Sequence, residues 1–317
     1  MKKRILGKTG FQIVPLVLGG NVFGWTLNEN SSFTLLDAMV DYGLNAIDTA
    51  DVYSRWVHGN KGGESETIIG QWIKKNPGKR KKILIFTKVG LDMGEGGKGL
   101  SKQWIIQEVE QSLKRLQTDV IDLYQSHFPD PATPYEETLS AYDQLLKQGK
   151  IRAIGASNLD AEQLSESLKV AKEHQLPSYQ TLQPEYNLYD RNQFGQSLKD
   201  LVLKENIGVI SYYSLASGFL SGKYRSKEDL SVSPRGEKVA DYLNAKGMRI
   251  LEILDVLAKH HSVPPSEIAL AWLMAQKEIT APIVSATSLP QLEHIVHALH
   301  VTLSSEELSQ LDQVSKV

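Results

Sequence analysis

The sequence predicts an α/β fold, a (β/α)8 TIM barrel with an N-terminal β-hairpin and two extra helices. Three observations predict it. Eight short apolar runs, several ending in glycine or in a polar residue, recur along the chain. Segments with helical spacing separate nearly all of them, as parallel strands require. No proline- or serine-rich linker breaks the alternation, so residues 1–317 read as one domain.

Residues 4–14 alternate around Gly7 and Gly10, which predicts the hairpin. The first barrel strand is expected over residues 15–20, followed by a helix over 31–42 that carries Phe33, Leu36, Met39 and Val40 and stops at Gly43. Further strands are expected at 45–48, 83–88, 120–127, 151–157, 181–184, 208–212 and 281–285. Helices are expected at 65–74, 101–116, 133–148, 160–174, 194–205, 241–260 and 265–275. In the second of these, Ile105, Val109, Leu113 and Leu116 fall at helical spacing. Thr133-Pro134-Tyr135-Glu136 supplies a threonine N-cap, a proline at the first helical position and a glutamate three residues past the cap. One extra helix belongs to the pair before the last strand. The other is the tail, where Ser304-Ser305-Glu306-Glu307 opens with a capping box.

A net charge of −2 removes any global electrostatic argument for a nucleic-acid or membrane partner. The basic run at 74–82 is broken by Pro77-Gly78 and reads as a solvated loop rather than a polyanion patch. With no cysteine, disulfides, thiolate chemistry and cysteine metal sites are excluded. The basic opening has no apolar segment behind it and no apolar run approaches a bilayer span, so the expected location is cytoplasmic.

In such a barrel the active site gathers at the carboxyl ends of the strands. The second strand ends at Asp48, the third at Lys88 and the fourth at His127, while the second loop brings Tyr53. This set suits carbonyl reduction. Hydride arriving at carbon leaves negative charge on oxygen, which must be stabilised and protonated. A tyrosine hydroxyl is an acid of pKa about 10, and a cation is needed to favour its phenolate. Lys88 is that cation, Asp48 holds the ammonium, and His127 orients the substrate oxygen.

Asp48-Thr49-Ala50-Asp51-Val52-Tyr53, Thr87-Lys88-Val89-Gly90 and Asp122-Leu123-Tyr124-Gln125-Ser126-His127-Phe128 resemble, in order, the three segments that hold the catalytic tetrad of aldo-keto reductases. The resemblance covers nearly the whole chain and extends to the bacterial branch related to potassium-channel β-subunits. It implies NADPH-dependent reduction of aldehydes or ketones, with Asp48, Tyr53, Lys88 and His127 catalytic and no metal ion.

The resemblance also implies where a dinucleotide lies. Gly155-Ala156-Ser157-Asn158 and Gln183-Pro184-Glu185-Tyr186-Asn187 are similar to the carboxamide-binding segments, through Ser157, Asn158 and Gln183. The stretch 211–224 resembles the segment that stacks a ring, here Tyr212, under the nicotinamide and wraps the pyrophosphate, which brings in Leu215, Ser217 and Lys223. Arg235 is expected to join Lys223 at phosphate, as an arginine does in the channel-subunit relatives. Ser214 stands where a proline is usual. The last stretch, with Ser285, Thr287 and Gln291, looks like the adenosine site. Thr287, Ser288 and Pro290 stand where a basic residue often meets the ribose 2′-phosphate, and His294 or Ile295 where an asparagine meets adenine. NADPH (NADP+) is the expected cofactor, with NADH possible.

Two other patterns carry less. Gly94-Glu95-Gly96-Gly97-Lys98-Gly99 satisfies G-x-G-x-x-G but begins four residues past Gly90, and reads as a mobile third loop over the mouth. His294, His297 and His300 fan across roughly 120° of a helix and read as a solvated face. The expected partner is a small carbonyl substrate in a pocket walled by Trp25, Trp56, Phe128 and Tyr186; Arg55 and His58 read as exposed loop charge. The alternative is an NADPH-binding, redox-sensing or regulatory subunit with little turnover. An isomerase or lyase barrel is a third reading, and oligomeric state stays open.

Overall fold

The computed structural model describes residues 2–94, 97–232 and 236–316. Strands β1 (Arg4–Ile5) and β2 (Gln12–Ile13) form an antiparallel hairpin with Arg4 opposite Ile13. The closed barrel consists of β3 (Val17–Gly19), β4 (Ala46–Asp48), β5 (Leu84–Val89), β6 (Ile121–Ser126), β7 (Ile151–Ser157), β8 (Thr181–Gln183), β9 (Gly208–Ser211) and β10 (Ala281–Val284). Each pairs in parallel with the next, and β10 closes the ring on β3. The helices are α1 (Glu29–Asp41), α2 (Glu64–Lys75), α3 (Pro77–Arg80), α4 (Lys102–Leu116), α5 (Tyr135–Lys147), α6 (Ala161–Glu173), α7 (Gln196–Lys204), α8 (Gly236–Val239), α9 (Ala245–His261), α10 (Pro265–Ala275), α11 (Leu289–His297) and α12 (Ser305–Ser315). Among the described residues no helix is long and apolar enough to cross a membrane.

Successive residues of a strand face opposite sides, and this alternation builds two cores. Ile47, Ile85, Tyr124, Ile154, Leu182 and Val209 face outward to the helices, against side chains such as Trp72, Ile105 and Leu139. Val17, Ala46, Phe86, Leu123, Ala153, Ile210 and Ala281 face the barrel interior, where Leu6, Phe11 and Ile13 of the hairpin join them. The hairpin therefore stoppers the amino end of the barrel. Arg4 ties it there, donating to the carbonyls of Met274, Ile279 and Thr280 just before β10.

Buried charges brace the outside of β5 and β6. Arg115 on α4 pairs with Glu66 at 2.7 Å and also with Glu108, and Thr87 Oγ1 donates to Glu66 Oε1 at 2.5 Å. Asp122 is held between Arg80 and Arg152. The basic run at 74–82 is thus only partly a solvated loop. Residues 77–80 form the short α3, and Arg80 also donates to the Ile83 and Val120 carbonyls that lead into β5 and β6.

Thr133 is not the cap of α5. Its hydroxyl donates to Asp130 at 2.7 Å, and Pro134 takes the cap position without a side-chain bond. The segment expected as one helix over 241–260 begins later, at Ala245, because Asn244 accepts from Lys246 N and Gly247 N and so starts α9. The capping box of α12 forms as expected, with Ser304 N donating to Glu307 Oε2 at 2.7 Å. Burial disfavours the Glu307 charge, but hydrogen bonds from the Ser304 amide, His261 and His260 prevail and hold its carboxyl down at about 2. That lies below the ordinary 4.5, so the stabilisation is complete above this value and is lost as pH falls toward 2. Glu307→Gln is expected to lower the melting temperature at pH 7, with the gap from wild type closing below about pH 4. A gap that stays constant in a pH series of melting curves would assign the loss to packing instead.

Candidate active site

Two further steps along the inward faces, the apolar layer gives way to polar residues. Ala46 is followed on its face by Asp48, Phe86 by Lys88, Leu123 by Gln125 and Thr181 by Gln183, all buried. His127 lies just past β6, where its backbone N–H donates to Val89 at 2.9 Å. Alternation and a common strand register therefore bring residues far apart in sequence to one rim.

At the centre Lys88 is fully buried and spends its three ammonium protons on three acceptors. They are Asp48 Oδ2 at 2.6 Å, the Thr49 carbonyl at 2.8 Å and the Tyr53 oxygen at 2.9 Å. Since Tyr53 accepts from Lys88, its own proton points elsewhere. The nearest acceptor, Asp48 Oδ2, is 3.4 Å away, a long and weak bond. The phenol thus has a proton to give. Burial first and the Asp48 carboxylate second push Tyr53 well above 10. The net push is opposite to the phenolate-favouring one expected from Lys88 alone, and it keeps the resting group protonated. Burial lowers Lys88, an effect Asp48 opposes. Burial and then Lys88 hold His127 well below 6.5, so its imidazole is neutral near pH 7, and its Nδ1 is buried without a partner among the described residues.

The residues expected around a nicotinamide adjoin this group. Gln183 Nε2 donates to Asp48 Oδ1 at 2.9 Å, and its carbonyl accepts from Ser157 Oγ at 2.7 Å. Asn158, held at φ +63°, donates to the His127 carbonyl at 2.9 Å and accepts from the Tyr212 hydroxyl at 2.7 Å. Ser157, Asn158, Gln183 and Tyr212 are therefore linked to one another and to the tetrad. Leu215, Ser217 and Lys223 lie on the loop after β9, where Ala216, Ser217 and Gly218 take left-handed conformations and a Cβ on Gly218 would meet Lys223 Nζ at 3.5 Å. Ser285 follows β10 and donates to Asn21 at 2.6 Å, while Thr287 N and Oγ1 both donate to Gln291 Oε1. No bond joins Ser285, Thr287 or Gln291 to the tetrad among the described residues. Arg235, like Glu95 and Gly96 of the glycine-rich run, lies outside the described residues.

Three sequence expectations change. Tyr186 does not wall the pocket. It is fully buried between Phe194 and Trp272 on the outer side of the barrel, and its hydroxyl accepts from Lys199. Arg55 does not stand free, since it donates to the Asp92 carbonyl and bridges to the third loop. His294 and His297 are not simply solvated, because both donate to the buried Glu267. Trp25, Trp56 and Phe128 do gather at the mouth, with Trp56 ring-to-ring with Trp25 and Tyr53, and Phe128 stacked on His127.

Gln125 was missed by sequence reasoning, although the alternation that places Lys88 also turns it inward. Its amide approaches Asp48 Oδ1 at 3.5 Å. Gly155 on the neighbouring strand makes room for it, because a Cβ there would lie 2.0 Å from Thr181 Oγ1 and 3.2 Å from Gln125 Cγ. Gly155→Ala is expected to lose about 1–3 kcal/mol by overpacking, read by urea unfolding, and to lower turnover by displacing Gln125. Unchanged stability and turnover would refute the tight fit.

The family model of the aldo/keto reductase family matches residues 15–316. The chain belongs to the aldo/keto reductase family. The reductase is 32% identical to an uncharacterized oxidoreductase, YrpG, of Bacillus subtilis, over 99% of this chain and 96% of that one. It is 35% identical to the aldo-keto reductase YhdN of Bacillus subtilis, over 94% of this chain and 87% of the relative. It is 32% identical to an L-glyceraldehyde 3-phosphate reductase of Escherichia coli, over 99% of this chain and 92% of the relative. An oxidoreductase acting on carbonyl compounds is the function these similarities support.

Proposed function

We propose that the reductase converts aldehydes or ketones to alcohols with NADPH, using Tyr53 as general acid. The observation that carries this reading is the hydrogen-bond directionality at Lys88. With all three ammonium protons committed, the Tyr53 oxygen is an acceptor toward Lys88, and its own proton meets only the long 3.4 Å contact to Asp48 Oδ2, which leaves it available to a substrate oxygen. A substrate oxygen beside Tyr53 and His127 receives that proton as its charge develops. The phenolate left behind lies 2.9 Å from an ammonium held by Asp48, so the charge moves from one stabilised position to another. His127, neutral and stacked on Phe128, contributes an N–H rather than a charge.

The donor set of the rim fits a nicotinamide dinucleotide. Asn158 and Gln183 offer amides, Tyr212 a flat ring, Ser157 and Ser217 hydroxyls, and Lys223 a cation folded over Gly218. When bound, the dinucleotide supplies the hydride. Lys223 is available for the pyrophosphate that both nucleotides share, and NADPH is proposed ahead of NADH on the family resemblance, with the Thr287 and Ser288 hydroxyls offered where the 2′-phosphate would lie. Asn158 holds the His127 carbonyl and the Tyr212 hydroxyl together, so the ring platform and the substrate-orienting histidine are aligned by one side chain.

Fluorescence titration with NADPH and NADH, followed by nucleotide oxidation across aldehydes, ketones and dicarbonyls, tests the reading. Tight NADPH binding and aldehyde-dependent oxidation are expected. Absence of nucleotide binding would refute the redox assignment. Binding without turnover on any carbonyl would refute the catalytic one.

A further inference from the structure

Away from the rim, two histidine–glutamate clusters join helices of the outer layer, and they differ in one respect. At Glu267 the two carboxylate oxygens are divided, one to His294 and one to His297. At Glu307 a single oxygen, Oε1, faces both imidazoles, His260 Nδ1 at 3.0 Å and His261 Nε2 at 2.8 Å. The three ligand atoms all lie within 4.8 Å of one another. We infer that His260, His261 and Glu307 form a binding site for a divalent transition-metal ion of the Zn2+ type, clamping the start of α12 to the end of α9.

The chemistry of the set selects the ion. Two imidazole nitrogens and one carboxylate oxygen suit Zn2+ and its neighbours, whereas Mg2+ and Ca2+ require a shell of oxygens. Zinc takes such ligands at about 2.0–2.2 Å, which places neighbouring ligand atoms about 3.3 Å apart in a tetrahedron. The observed N–O separations of 2.8 and 3.0 Å lie a little under that spacing, and the two imidazole nitrogens lie within 4.8 Å of each other. Each imidazole then carries its proton on the other ring nitrogen and turns a lone pair to the metal.

The site is also built before the ion arrives. Glu307 Oε2 accepts from the Ser304 amide at 2.7 Å, so the capping box fixes the carboxylate and leaves Oε1 turned toward the histidines. The Glu307 side chain is only 10% exposed and His261 21%, whereas His260 is 73% exposed and leaves a fourth position open to water. The ion would sit at the carboxyl end of α9, where the helix dipole favours positive charge. The opposing dipole at the start of α12 is offset by Glu306 and Glu307 in its first turn.

The test uses the full chain, stripped with a chelator and titrated with Zn2+ alone by calorimetry, then with Co2+, whose visible absorption reports tetrahedral ligation. One ion per chain is expected, with a Zn2+-dependent rise in melting temperature. His261→Ala and His260→Asn should each weaken binding at least tenfold and abolish that rise, while His297→Ala leaves both intact. The exposed His260 makes the asparagine variant a safe folding control, checked by its melting temperature without metal. Wild-type protein that takes up no Zn2+, or either of the two variants binding it like wild type, would overturn the assignment. Loss of binding in His297→Ala would move the site to Glu267 and equally overturn it.

Discussion

Tyr53→Phe is expected to slow carbonyl reduction by about 10²–10⁴-fold, the usual contribution of a positioned acid, with NADPH affinity nearly unchanged. The substitution removes one oxygen and keeps the ring, so contacts with Trp56 and His127 survive. What disappears is the hydroxyl proton, together with the 2.9 Å contact to Lys88. Lys88 retains Asp48 and the Thr49 carbonyl, so the buried charge keeps two of its three partners and the fold should hold. Single-turnover NADPH oxidation, set beside a fluorescence titration, separates the two effects. A variant as fast as wild type would remove Tyr53 from the reaction.

Arg115→Met should be the most damaging single change to the scaffold, lowering stability by about 3–5 kcal/mol, as when one partner of a buried ion pair is deleted. Glu66 is wholly buried and Glu108 nearly so, and both rely on this guanidinium. Burial already raises Glu108, and Arg115 is the group that lowers it again. Without Arg115 the Glu108 carboxyl, which burial raises, is expected to take up a proton, so the deficit should shrink as pH falls. Urea unfolding at pH 7 and pH 5 reads both features. Turnover should fall as well, since Glu66 also accepts from Thr87, the residue before Lys88. A loss under about 1 kcal/mol, the range of an exposed pair, would show that water reaches the cluster.

The barrel and the tetrad were legible in sequence because each tetrad residue ends, or closely follows, an apolar run, and such ends meet by construction. Gln125 was equally accessible, since it lies on the same face as Leu123, but it sits inside its run and drew no attention. Tyr186 was misplaced for want of the same count, as alternation from Gln183 turns it to the outer side, where Phe194 and Trp272 receive it. Other features depend on distant chain. Nothing near His294 or His297 announces Glu267, which lies 27 and 30 residues earlier. Thr133 has the right neighbours for a cap, yet Asp130 claims its hydroxyl. The upward push on Tyr53 arises first from burial, a property of the assembled rim, and only second from Asp48.

The β1–β2 hairpin has a kinetic consequence. With Leu6, Phe11 and Ile13 packed against the inward strand residues, the amino end of the cylinder is closed among the described residues, so on the proposed reading both reactants would enter and both products depart at the opposite rim. On that reading, whichever molecule settles deeper would arrive first and leave last. Traffic past Trp56 and Phe128, rather than the chemistry at the bottom, then becomes the natural place for the cycle to slow.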